Sequence, residues 1–178
     1  MIFTDDTEET LRAAVWLVNS AEDPDTLTSL SEEAAFVSQF GYTGRIDRDE
    51  AELAELREIR PQLRAMLLAS RDDMALAVNE ALAGFALTPR LARHGTLDWH
   101  LHAVADDHPL RERVIVETAM ALIDVIRAEE GSRISVCADD TCEALALDLS
   151  RNRSKRYCST VCANRNAVAA YRARRAEV

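Results

Sequence analysis

The four cysteines of this chain lie in two short segments, Cys137-Ala-Asp-Asp-Thr-Cys142 and Cys158-Ser-Thr-Val-Cys162, which are separated by fifteen residues. Each segment can close a tight turn around one ion, and two such pairs supply the four thiolates of a closed tetrahedral zinc site. Thiolates are soft ligands and Zn²⁺ has no redox chemistry, which suits a structural role. The spacing therefore predicts one structural zinc ion held by Cys137, Cys142, Cys158 and Cys162.

Three other states of the cysteines are compatible with this spacing. Two disulfides would suit a secreted protein, but the acidic segment Met1 to Asp6 lacks the layout of a signal peptide, and cytosol keeps thiols reduced. An iron–sulfur cluster also takes four cysteines, and unbound thiols are the remaining alternative. Since no apolar run approaches the roughly 18–20 residues of a membrane span, we expect a cytoplasmic protein without membrane segments.

Charge divides the chain into an acidic body and a basic end. Residues 1–149 carry 13 Lys and Arg against 30 Asp and Glu, whereas residues 150–178 carry eight basic residues against one acid, Glu177. Such asymmetry is typical of a nucleic-acid-binding end, although a solvated basic tail would produce it too. The apolar fraction of 48% is normal for a globular protein.

Hydrophobic periodicity predicts a mainly α (α+β) fold. Five helices are expected in the first 130 residues. The first begins after Thr7, and the others run from Ser31 to Gly41, from Asp47 to Ser70, from Asp72 to Ala83 and from Leu110 to Ile126. Pro61 should kink or break the third helix. The last of these helices has an apolar face wide enough for a central helix. Leu97, Trp99 and Leu101 alternate with polar residues, which predicts a half-buried strand in a β-hairpin with residues 90–93.

We therefore expect a helical N-terminal domain with a small β-hairpin over residues 1–130. A C-terminal four-cysteine zinc module with a terminal helix follows over residues 131–178. That helix is predicted from the Ala-rich stretch Val161 to Arg175, with Ser159 as its N-cap.

The terminal helix carries a polar stripe with nucleic-acid chemistry. At 100° per residue, one side presents Asn164, Arg165, Val168, Arg172 and Arg175, whereas Arg174 projects the other way. Arg binds phosphate or guanine edges, and Asn pairs with adenine. The loop before the second cysteine pair adds Arg151, Asn152, Arg153, Lys155 and Arg156 as candidate phosphate contacts. Aromatic residues are scarce here, which favours duplex over single-stranded partners. The same cations could instead offset the net −2 charge of a zinc tetrathiolate. Nucleic-acid binding and charge compensation at the metal site are therefore both open.

The segments around these cysteines resemble the CGNR zinc-finger family. The similarity covers about residues 133–175 and includes Asp148 to Cys158 and Ala170 to Arg175. The name motif Cys-Gly-Asn-Arg stands here as Cys162-Ala-Asn-Arg165, and alanine is the better helix former at the departing position. Residues 11–130 resemble the helical ABATE domain that accompanies this finger, with Leu17-Val-Asn-Ser20 near its start. The resemblance implies zinc ligation by the four cysteines, DNA binding by the finger and a role as a stress-induced bacterial transcription regulator.

Two further features bear on the class of protein. His100 and His102 share one strand face and could bind a metal, but we expect this face to be the exposed polar face of the hairpin. The chain contains no nucleophile elbow, Gly-rich phosphate loop or His-Glu-x-x-His motif, so we do not expect an enzyme.

The sequence thus predicts a bacterial, cytoplasmic transcription regulator whose zinc module binds duplex DNA. Its N-terminal domain would sense a signal or interact with a partner. One small zinc module offers little contact area, so we expect a homodimer. The alternatives are a zinc-stabilised protein–protein interaction module and a small-molecule sensor without direct DNA binding. The sequence names no effector.

Overall fold

The computed structural model describes residues 3–93 and 98–176. These residues form seven α-helices and two two-stranded antiparallel sheets, which confirms the mainly α fold. In chain order the elements are α1 (Asp5–Asn19), α2 (Leu30–Gln39), α3 (Glu50–Glu58), α4 (Arg60–Leu68), α5 (Arg71–Ala83), β1 (Arg90–Ala92), β2 (His100–His102), α6 (Leu110–Arg127), β3 (Ile134–Val136), β4 (Leu145–Leu147) and α7 (Thr160–Ala176). Leu97 of the predicted strand lies outside the described residues.

The first two helices begin slightly earlier than the sequence predicts. Helix α1 begins at Asp5 after Thr4, so the predicted start after Thr7 is wrong. Thr7 is buried, and its hydroxyl donates a hydrogen bond of 2.7 Å to Asp124 on α6. Helix α2 is capped by Ser29, which forms a reciprocal capping box with Glu32. The start of α2 at Leu30 is therefore fixed by ordinary cap chemistry, one residue before the expected start at Ser31.

Proline splits the long helix predicted between Asp47 and Ser70. Helix α3 ends at Glu58, and α4 begins at Arg60 with Pro61 in its first turn. A proline is tolerated there because the first turn has no intrahelical partner for its missing N–H group. The predicted break is confirmed.

Helix α6 is the centre of the core, as its wide apolar face predicts. Leu110, Val114 and Leu122 have no exposed surface, and α6 packs against α1, α3, α4 and α5. Burying large aliphatic side chains contributes about 1.5–3 kcal/mol each. In the part of the chain that the structure describes, no helix is both long and apolar enough to cross a membrane.

The first hairpin forms where it is predicted, but its faces are reversed. Leu91 pairs with Leu101 on the outward face, where 43% of Leu101 remains exposed. His100 is buried and His102 half-buried, so the expected exposed histidine face is wrong. The apolar contact comes instead from Ala103 and Val104, which follow β2 and pack against Val116 of α6. Alternation defines two faces of a strand, and tertiary packing decides which one is covered.

A second hairpin, which the sequence did not reveal, joins the zinc segment to the helical body. Strands β3 and β4 pair in antiparallel register, and Ile134, Leu145 and Leu147 are part of the main hydrophobic core. The side-chain amide of Asn19 at the end of α1 accepts from the backbone N–H of Leu145 at 2.6 Å and donates to its carbonyl at 2.9 Å. The base of the zinc segment is therefore built into the core of residues 1–130.

Candidate metal centre and cationic surface

The first cysteine pair lies in the turn of the β3–β4 hairpin. The backbone N–H of Cys137 donates to the carbonyl of Ala144 at 2.8 Å, which continues the ladder beyond β3. Within the turn, the N–H of Cys142 donates to the carbonyl of Asp139 at 2.9 Å. Because the hairpin base is held by the core, this turn presents both thiols at a fixed position.

The second pair lies at the start of α7. Cys158 is in the preceding loop and Cys162 in the first helical turn, where its N–H donates to the Ser159 hydroxyl at 3.3 Å. The predicted N-cap is therefore confirmed. The N–H of Ala138 donates to the Arg156 carbonyl at 2.9 Å, and the N–H of Cys158 lies 3.4 Å from the Cys137 sulfur. These two bonds dock the second segment onto the first.

The four sulfurs form a compact cluster. All lie within 4.8 Å of one another, with Cys142 Sγ 3.6 Å and Cys162 Sγ 3.7 Å from Cys158 Sγ. A tetrahedral Zn²⁺ with Zn–S bonds of about 2.3 Å requires S···S edges of about 3.8 Å. No disulfide joins these four cysteines, and Cys137 and Cys162 are buried. The set fits one structural zinc ion with no open coordination position.

The crowded thiols would need a cation between them to lose their protons together. Burial, with a further contribution from the neighbouring sulfurs, raises the pKa of Cys158 to about 12. Adjacent thiolates repel one another, and a divalent ion between them removes that penalty while the thiols release their protons.

A polar clamp that the sequence reasoning missed joins the two halves of the site. Asp139 is buried in the first cysteine loop and accepts bonds from the backbone N–H and hydroxyl of Thr141 at 3.0 and 2.8 Å. Arg165 on α7 donates to Asp139 Oδ2 at 3.1 Å and to Thr141 Oγ1 at 2.6 Å. The Thr141 bonds and the Arg165 charge hold the pKa of Asp139 below its usual value. The sequence pattern Asp139-x-Thr141 favours a turn in which the aspartate side chain accepts bonds from the residue two positions later. This pattern could have identified Asp139 as a structural residue of the loop.

The predicted nucleic-acid-binding residues divide into two groups. The first group is paired with acidic residues of the protein itself. Arg165 pairs with Asp139 in the clamp, and Arg153 donates to the carboxylate of Glu130 at 2.8 and 2.9 Å. The others are exposed and make no side-chain hydrogen bond or ion pair within the described chain; they are Arg151, Asn152, Lys155, Arg156, Asn164, Arg172 and Arg175. The Arg175 guanidinium lies over the Tyr171 ring, 5.9 Å from its centroid.

Helix α7 projects from the zinc site without a covering element among the described residues. Every side chain from Ala167 to Arg175 is exposed, including Val168 and Tyr171. The anchored part of the helix is its first turn and a half, held by the Cys162 ligand and Arg165. The remaining turns, from Ala167 to Arg175, are exposed and carry the positive charge of three arginines.

These features define a zinc-finger protein: a helical body carries a closed four-cysteine site whose last ligand begins a basic helix. The CGNR zinc finger family model matches residues 133–175, and the ABATE model, described as "Putative stress-induced transcription regulator", matches residues 11–129. Because the second match covers more than half of the chain, the protein belongs to the ABATE family, here with a CGNR zinc finger. A search of curated proteins finds no match.

Proposed function

We propose that this protein regulates transcription by binding duplex DNA through its zinc finger. The observation that carries the proposal is the free, cationic part of α7, which a rigid metal site holds away from the body. Arg172 and Arg175 lie on one side of it, in line with Asn164 in the anchored part, and these side chains are suited to phosphate and base-edge contacts. Residues 1–130 would then serve for sensing or interaction.

The loop before the second cysteine pair supplies a second cationic surface. Arg151, Asn152, Lys155 and Arg156 are exposed there. A cavity of about 220 Å³ between this loop and β3 is lined by Lys155 and Arg156 together with Ser132 and Ser135. Cationic and hydroxyl side chains are common phosphate partners, so this loop is suited to contact the DNA backbone beside the helix.

Electrostatics restricts how DNA could approach. The body has a net charge of −17 over residues 1–149, whereas residues 150–178 sum to +7. DNA would be repelled by most of the molecule and attracted to one end. The charge pattern thus favours an end-on approach along α7 and the adjacent loop.

Three further properties belong to the proposal. The role is non-catalytic, because four cysteines fill the coordination shell of the zinc and leave no position for a reactive water. The protein acts in the bacterial cytoplasm. It binds as a homodimer, because one finger of this size buries too little surface for tight specific binding.

Fluorescence anisotropy with labelled duplex DNA tests the proposal. Affinity is expected to fall steeply with salt, since each neutralised phosphate contributes about −0.9 to the log–log slope. The double variant R172A/R175A should bind more weakly and lose about two units of that slope, with unchanged zinc content. Arg174 projects from the other side of α7, so R174A is the matched control and should bind like the wild type.

Two outcomes would overturn the proposal. One is the absence of DNA binding at low salt by the zinc-loaded protein. The other is binding that R172A/R175A and R174A weaken equally, which would indicate nonspecific attraction to charge. Either result would favour a zinc-stabilised protein–protein interaction module or a sensor that does not bind DNA.

A further inference from the structure

The two histidines of β2 form a buried pair remote in sequence from the zinc finger. His100 and His102 are two residues apart on one strand, so both rings point to the same side of the hairpin. That side faces α6, because His102 Nδ1 lies 3.8 Å from Glu117 Oε1. His100 is only 8% exposed, and the pair is thus largely shielded from water.

The two rings face each other through their Nε2 atoms. His100 Nδ1 lies 2.7 Å from the Asp98 carbonyl oxygen, which can only accept, so this nitrogen carries the hydrogen. In the neutral ring, Nε2 of His100 therefore presents a lone pair. The two Nε2 atoms are 3.0 Å apart, so His102 Nε2 donates a hydrogen bond to this lone pair, and a metal ion between the rings would replace that proton. Metal-binding histidines commonly donate from the second nitrogen to a backbone carbonyl or a carboxylate. His100 has such a carbonyl, and Glu117 lies 3.8 Å from His102 Nδ1, beyond hydrogen-bond distance but on the correct side of the ring.

We propose that His100 Nε2 and His102 Nε2 bind a second metal ion, with Glu117 as the carboxylate that orients His102. Bonds of about 2.0–2.1 Å to two imidazoles place the nitrogens about 2.9 Å apart at a right angle and about 3.4 Å apart in a tetrahedron. The observed separation of 3.0 Å falls within that range. Imidazole ligands select divalent transition metals such as Zn²⁺, Co²⁺ or Ni²⁺ over Mg²⁺ and Ca²⁺.

The site differs in character from the cysteine cluster. Among the described residues, only the four cysteines form a group of three or more potential ligands. Two histidines leave coordination positions for water or a further donor, so the ion would be exchangeable. An ion that exchanges with solution could act as an effector bound by the N-terminal domain. The ion of the closed four-cysteine site, in contrast, has a structural role.

Titration of the zinc-loaded protein with Co²⁺ tests this proposal. We expect one additional equivalent to bind, with visible absorption bands of nitrogen and oxygen coordination and without thiolate-to-cobalt charge transfer. The double variant H100A/H102A should lose that equivalent and keep its zinc. His108 pairs with Glu112 at 2.8 Å at the start of α6, and H108A is the control that should bind Co²⁺ as the wild type does.

A second variant pair keeps both ligands in place. E117Q should weaken Co²⁺ binding by about 10–100-fold, as is usual when a carboxylate behind a metal-bound histidine is replaced. E112Q should have no effect, and circular dichroism confirms that both variants are folded. The proposal is overturned if the wild type binds no additional equivalent, if Co²⁺ merely displaces zinc with thiolate charge transfer, or if E117Q and E112Q bind alike.

Discussion

Arg165 and Asp139 form an ion pair of 3.1 Å across the zinc site, although they are 26 residues apart in the chain. Asp139 belongs to the hairpin that the core holds, and Arg165 belongs to the projecting helix. The buried carboxylate and the zinc ion therefore restrain α7 at two separate points. A helix fixed at two points has a defined direction, which a single ligand in its first turn would not give.

Replacing Arg165 by Ala should loosen the zinc finger. The Asp139 carboxylate would lose its only cationic partner among the described residues, and the pair is half-exposed on the arginine side, so we expect a loss of about 1 kcal/mol. That loss corresponds to about fivefold faster transfer of zinc to a colorimetric chelator. R174A, which changes an arginine of the same helix, should transfer zinc at the wild-type rate. If R165A retains zinc normally and only DNA affinity falls, Arg165 contacts nucleic acid directly.

Removing zinc should release α7 and leave the helical core folded. Ile134, Leu145 and Leu147 anchor the hairpin base without the metal. The second segment is attached by two backbone N–H bonds, the sulfurs and the half-exposed Arg165 clamp, which contribute little once the metal is gone. In hydrogen exchange after chelation, amides of residues 158–175 should lose protection, while those of α1 and α6 keep it. C158S should reproduce this pattern. Loss of protection throughout α6 would contradict it and would make the zinc a determinant of the whole fold.

The features that could be predicted from the sequence depend on local signals. The cysteine spacing, the Ser159 cap and the break at Pro61 each act within a few residues. The wide apolar face of α6 needs only periodicity. Each of these predictions is confirmed, because its signal can be recognised in the sequence without knowing what the residues contact.

The features that could not be predicted depend on distant partners. All three residues of β4 are apolar and buried, so no alternation indicates this strand, and both β4 and its partner β3 were missed. The position of His100 follows from a hairpin that packs its histidine side against α6. The engagement of Arg165 depends on a buried aspartate in another segment. In each case the sequence defines the chemistry of the residue, and tertiary structure decides what it faces.

Replacing Asn19 by Ala should separate the hairpin base from α1. Two hydrogen bonds to the Leu145 backbone would be lost, each contributing about 0.5–1.5 kcal/mol, so we expect a destabilisation of about 1–3 kcal/mol. The midpoint of urea unfolding measures this change. Asn79 is exposed on α5, and N79A is the matched control. Equal midpoints for the two variants would show that the core contacts of the strands alone hold the hairpin.

Stability should depend on pH through a buried carboxyl pair between α2 and α3. Glu33 and Glu52 are 1% and 4% exposed, and neither oxygen of Glu33 has a hydrogen-bond partner among the described residues. Burial, and then the neighbouring Glu52, raises the pKa of Glu33 from 4.5 to about 7. The folded state therefore binds a proton that the unfolded chain releases. This contribution is complete below pH 4.5 and is lost as pH rises through about 7.

E33Q should remove that dependence, because glutamine stays neutral and its amide can donate to Glu52. At pH 8 the variant should be more stable than the wild type by on the order of 1–2 kcal/mol, and the difference should shrink as pH falls to about 5. Urea unfolding of both proteins at each pH gives this difference free of effects that they share, such as protonation of the zinc ligands. E58Q changes an exposed glutamate of α3 and should follow the wild type. Parallel curves for E33Q and the wild type would show that Glu33 ionises in the folded protein as it does in the unfolded chain.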